Sequence, residues 1–88
     1  MNDQEKRASA AMDLINDRRN QIDKTDETII TLLLHRKQLS ESIAQVKKNL
    51  GMPARDNLRE KEIAERYMKS LEPQQGLDVA EAILGWNR

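Results

Sequence analysis

The sequence contains no cysteine and no phenylalanine, and only one tryptophan, one tyrosine and one histidine. Without cysteine there is no disulfide framework, no thiolate metal site and no cysteine nucleophile. One histidine cannot build a histidine metal cluster. Charge of one sign is also lacking, because 15 basic and 15 acidic residues cancel. A dedicated nucleic-acid binder would usually show a basic excess. The longest apolar stretch, Ile29-Ile30-Thr31-Leu32-Leu33-Leu34, is far short of a membrane span or a signal-peptide core. These absences predict a soluble, cytoplasmic protein with no nucleic-acid or membrane partner. At 88 residues the chain makes one small domain at most. With so few aromatics, it has trouble building a core alone.

Helix breakers are scarce as well. Glycine occurs only at 51, 76 and 85, and proline only at 53 and 73. Residues 4–50 are free of both and rich in good helix formers. Gly51 followed by Pro53 is a stop signal. The chain therefore reads as a long helix over most of residues 10–49, with residues 1–9 an N-terminal extension that continues it or frays. A helix of forty residues is roughly 60 Å long, whereas a compact monomer of this length has a radius of gyration near ~12 Å. The helix must pack along another chain or stand in water. After a loop at 51–56, a second helix starts at Asp56 or Asn57, either of which can cap it. Leu58, Ile63, Tyr67, Met68 and Leu71 supply its apolar side. Pro73-Gln74-Gln75-Gly76 reads as a loop, and a third short helix is expected over residues 78–84. The fold class is all-α, and residues 10–88 form the helical domain.

The informative feature of the long helix is what interrupts its apolar seam. Positions 19, 22, 26, 29, 33, 36, 40, 43 and 47 alternate steps of three and four without a slip. Ile22, Ile29, Leu33 and Ile43 share that face with Arg19, Arg36 and Lys47. A charge inside a helix interface costs several kcal/mol unless paired. Asp26, a carboxylate of the second helix, or a ligand can supply the partner. Arg36 and Lys47 are separated by about three turns, ~16 Å, and point the same way. Two long side chains at that spacing can grip one small anion. Arg19 is roughly 25 Å from Arg36 along the helix and cannot reach the same ligand from the same chain. In an antiparallel dimer it can reach the partner's ligand, which predicts a symmetric dimer with shared sites. The plainer alternative is that long cations snorkel from helix edges.

Four blocks carry a resemblance: Arg19-x-x-Ile22-Asp23-x-x-Asp26, Leu32-Leu33-x-x-Arg36, Ile43-x-x-x-Lys47 and Arg55-Asp56-x-x-Arg59-Glu60. In this order, without a gap from about Leu14 to Tyr67, they resemble the all-α chorismate mutases. The resemblance implies one long and two shorter helices intertwined as a homodimer, with each active site drawing on both chains. It also implies roles. Arg19 matches the arginine that crosses from the partner chain to a substrate carboxylate. Arg36 matches a second carboxylate-binding arginine, and Lys47 the lysine that meets a carboxylate and the ether oxygen. Asp56 and Glu60 match positions around the ring hydroxyl, and Arg59 an arginine supporting the carboxylate network. Arg36 and Lys47 are thus the expected catalytic residues. Arg18 points about 100° away from Arg19 on a helix, so the role goes to Arg19.

The implied reaction is the intramolecular Claisen rearrangement of the dianion chorismate to prephenate, on the route to phenylalanine and tyrosine. It needs no nucleophile, metal or redox cofactor, so no cofactor is expected. Catalysis would come from holding a reactive conformer and from Lys47 stabilising charge that develops on the ether oxygen. Simpler roles compete at several positions. Glu60 follows Asn57 by three and can complete a capping box, and Asp56 can be only a helix cap. His35 reads as solvent-facing, Trp86 as a packing residue, and Met12, Met52 and Met68 as core or loop filler.

The C-terminus departs from the better-known members, whose long third helix carries a serine and a glutamine or glutamate. No residue is expected at those positions. Either the sequence is truncated, or it resembles a short subclass whose chains end soon after a Leu-Gly stretch, as Leu84-Gly85 suggests. That subclass implies a further partner, a heptulosonate-phosphate synthase that activates it. Same-fold alternatives are a 4-amino-4-deoxychorismate mutase and an isochorismate pyruvate lyase. A non-catalytic helical dimerisation or regulatory module is an alternative of another class, and it predicts tolerance of Arg36→Ala and Lys47→Ala.

Overall fold

The computed structural model describes residues 2–86. The fold is all-α: α1 spans Asp3–Asn49, α2 Asn57–Ser70 and α3 Pro73–Gly85. The chain divides into two compact units, Met1–Leu32 and Leu33–Arg88.

The first unit is helix alone. Its start is fixed by a reciprocal cap: Asn2 Oδ1 accepts from the Glu5 N–H at 2.7 Å, and Glu5 Oε2 accepts from the Asn2 N–H at 3.3 Å. This satisfies two donors that a helix start otherwise leaves open, and α1 takes in residues 3–9 as a result. The hydroxyls of Thr25 and Thr28 donate to the carbonyls of Gln21 and Lys24, one turn back. Every described residue before Leu33 is exposed, including Ile22 and Ile29 of the apolar seam, at 57 % and 46 %. Asp26 forms no ion pair with a seam cation among the described residues. The ion pair of this stretch is instead Arg18 Nη1 with Asp17 Oδ2 at 2.8 Å.

The second unit holds the core. Here α1 turns one face inward, where Leu33, Arg36, Ser40 and Lys47 are half-buried. Gly51 ends the helix at φ 67°. The Met52 N–H donates to the Lys47 carbonyl at 2.8 Å and the Gly51 N–H to the Lys48 carbonyl at 3.2 Å. This pairing closes the last turn and favours glycine at the left-handed position. Asp56, not Asn57, caps α2, with its side chain accepting from the Arg59 N–H at 3.0 Å.

The third helix corrects the sequence reading. Pro73-Gln74-Gln75-Gly76 is not a loop but the first turn of α3. Glu72 caps it by accepting from the N–H groups of Gln74 and Gln75 at 3.2 and 3.1 Å. Pro73 lacks an N–H where a helix start needs none. Helices α2 and α3 pack on each other, burying Ile63, Ala80, Ile83 and Leu84. Gly76 lies in that contact. A Cβ there would press on the Tyr67 carbonyl and stand 2.7 Å from the Met68 Cα, so a small residue lets the two backbones approach. Met68 is half-buried. Leu58, placed on the apolar side of α2 by sequence, is instead 77 % exposed. Trp86, read as a packing residue, is 55 % exposed, because it follows the last turn of α3, beyond the buried Ile83 and Leu84. Met12 and Met52 are likewise exposed.

Candidate active site

The second unit contains a cleft of about 590 Å³. Helix α1 supplies Arg36, Ser40 and Lys47 to one wall, together with the apolar Leu39, Ile43 and Ala44. The 51–56 loop and the start of α2 supply Ala54, Arg55, Asp56, Arg59 and Glu60. Ile63 and Leu84 close it from the α2–α3 core. Two local signals position these groups. The left-handed Gly51 ends α1 one turn after Lys47, and the Asp56 cap fixes the first turn of α2, which carries Arg59 and Glu60.

Of the sequence-derived candidates, Arg36, Lys47, Asp56, Arg59 and Glu60 line this one cleft. Arg19 lies in the first unit, exposed, and does not line it. The cleft gathers four cations (Arg36, Lys47, Arg55 and Arg59) against two carboxylates (Asp56 and Glu60). Arg36 and Lys47 make no ion pair among the described residues. The surplus of two positive charges suits a small dianion, held in a partly desolvated site where each charge acts more strongly than in water. Arg59 Nη1 donates to Glu62 Oε2 at 3.2 Å, which uses only part of its five-donor fork.

Glu60 does not complete a capping box with Asn57. The helix starts one residue earlier than that pairing requires, and Glu60 instead accepts from Arg55 Nε at 3.0 Å. Arg55 is the lining cation that sequence reasoning left without a role. Its signal was an acid five residues on, a spacing that no regular helix pairing suggests. Leu84 falls within the expected third helix, but no local signal links it to this cleft. His35 is exposed. Among the described residues no group of three His, Cys, Asp or Glu side chains could hold a metal ion, and no helix is long and apolar enough to cross a membrane.

Comparison with known proteins points the same way. A chorismate mutase of Methanocaldococcus jannaschii is 39 % identical over 51 residues, covering 58 % of this chain and 52 % of that protein. An intracellular chorismate mutase of Mycolicibacterium smegmatis is 34 % identical over 74 residues, covering 84 % of this chain and 70 % of that protein. The chain thus spans about half the length of the first relative. No solved structure matches it. Residues 18–85, most of the described chain, match the family called chorismate mutase type II, and the chain belongs to that family.

Proposed function

We propose that the protein is a chorismate mutase, an isomerase that converts chorismate to prephenate in the cleft between Arg36, Lys47 and the start of α2. The observation that carries this reading is the charge of the cleft: four cations against two carboxylates around a volume fit for one small dianion. Arg36 binds one substrate carboxylate, and Arg59 supports that network. Asp56 and Glu60 meet the ring hydroxyl. Lys47 faces the ether oxygen, where negative charge grows as the C–O bond breaks. An ammonium already in place there needs no reorganisation during the reaction. The apolar wall of Leu39, Ile43 and Ile63 folds the enolpyruvyl arm over the ring, the near-attack geometry that an intramolecular rearrangement requires.

The working unit is a homodimer, in which Arg19 of one protomer reaches the cleft of its partner. Its support is the exposed seam of residues 19–32, whose apolar positions need a second helix to cover them. A heptulosonate-phosphate synthase is a further partner that the resemblance of Leu84-Gly85 to one subclass suggests.

The test follows the loss of chorismate absorbance with purified protein. Turnover is expected, and Lys47→Ala should lower kcat by about 10²–10³ without unfolding the chain. Absence of turnover at any protein concentration, with or without the synthase, would refute the reading. Pyruvate release from isochorismate would replace it with a lyase.

A further inference from the structure

A second, smaller cleft of about 260 Å³ lies beside the first, lined by Arg36, Arg59, Ile63, Arg66, Tyr67 and Ser70. Arg59, Ile63, Arg66 and Ser70 follow one another at steps of four, three and four, so they share one face of α2. Arg36 arrives from α1. Three arginines from two helices therefore line one concavity. Arg66 has no ion-pair partner among the described residues, nor has Arg36, and Arg59 spends one N–H on Glu62. A solvated helix face explains a lone arginine. It does not explain why cations of two helices should line the same hollow, where, among the described residues, only Arg59 has a carboxylate partner, Glu62.

We infer that this cleft is a second anion site, distinct from the substrate cleft, that takes a small oxyanion, a phosphate or a carboxylate, on Arg66, Arg36 and Arg59. Forked guanidinium donors match the planar or tetrahedral oxygens of such groups, and the Tyr67 and Ser70 hydroxyls add neutral donors. Arg36 and Arg59 line both clefts. An anion in the small cleft holds their guanidinium groups away from the large one, so the two ligands compete although they occupy different volumes. Reciprocity follows: whatever the anion does to substrate affinity, substrate does to anion affinity.

The binding half of this inference stands apart from the mutase reading, and the kinetic half rests on it. The experiment titrates inorganic phosphate, and separately acetate, into nitrogen-labelled protein and follows the arginine Nε–Hε resonances. Sodium chloride at equal ionic strength is the control, because screening alone also moves charged groups. Saturable shifts at Arg66, Arg36 and Arg59 are expected with phosphate or acetate and not with chloride, and whichever anion saturates at lower concentration identifies the ligand class. Arg66→Ala should abolish saturation with unchanged helix content, and Arg66→Lys should restore part of it. Where phosphate binds, the KM for chorismate should roughly double at a phosphate concentration equal to its Kd, as mutually exclusive ligands require. The same ratio in Arg66→Ala should stay at one. Equal shifts in chloride, or saturation that survives Arg66→Ala, would overturn the site. So would an Arg66 resonance that moves with protein concentration alone and then resists phosphate, since a carboxylate of a second copy would then fill the cleft. Phosphate binding without any chorismate turnover would leave the site standing and remove the proposed activity.

Discussion

Arg55 and Glu60 are joined across the start of α2: Arg55 Nε donates to Glu60 Oε2 at 3.0 Å, and the acid side chain is 20 % exposed against 59 % for the arginine. The pair spans the Asp56 cap, so it ties the loop to the first turn of the helix. Being half in water, it adds little to stability. Its effect is orientation of a carboxylate that faces the cleft. Arg55→Ala should leave the melting temperature nearly unchanged and lower kcat/KM for chorismate by roughly 10-fold, the scale of one misaligned polar contact at about 1.4 kcal/mol. Arg55→Lys should recover only part, because a lysine lacks the planar fork.

Asp56 has two tasks that substitution can separate. Its side chain caps α2 by accepting the Arg59 N–H, and it lines the cleft. Asp56→Ala should cost about 1 kcal/mol in denaturant unfolding. Asp56→Asn keeps a capping oxygen and should unfold like the parent, yet raise the KM for chorismate, because the charge proposed to face the ring hydroxyl is gone. Equal KM values for parent and Asp56→Asn would reduce Asp56 to a cap.

Gly76 has no room for a methyl group. Its missing Cβ would collide with the Tyr67 backbone and stand 2.7 Å from the Met68 Cα. Backbone cannot rotate away as a side chain can. Gly76→Ala should therefore destabilise the α2–α3 pair by roughly 1–3 kcal/mol, even though alanine is the better helix former. A rise in melting temperature would show that α3 does not sit this close to α2.

Arg19 and Lys47 offer a complementation test of the shared site. Arg19→Ala and Lys47→Ala should each be nearly inactive as pure proteins. When mixed and allowed to exchange protomers, half the dimers are hybrids, each with one intact site of two, so about one quarter of the parent activity should return. If Arg19 served only its own chain, no activity would return.

The long helix was legible because its signals are local. Nothing between Gln4 and Leu50 breaks a helix, and Gly51 with Pro53 ends it. The candidate cleft was legible in part for the same reason, since a three-and-four spacing puts Arg36 and Lys47 on one face whatever covers them. The start of α3 was not. Proline and glycine within four residues read as a loop, and glutamate is not among the preferred caps. The proline instead sits where its missing N–H costs nothing, and Gly76 is retained for a contact with another helix that no local pattern encodes. The Arg55–Glu60 pair was hidden by a one-residue difference in helix start, which turned a capping box into a clamp.

The absence of any buried residue among the described positions 2–32 has a consequence for how the protein is handled. A helix that covers none of its apolar side has only its own hydrogen bonds to hold it, and those are marginal in water. In the proposed homodimer its ordering comes from the partner helix, so its helical signal would be tied to mass action rather than to temperature alone. Dilution at constant temperature should melt this part of α1 before α2 and α3, and ellipticity measured across a concentration series becomes a direct gauge of assembly.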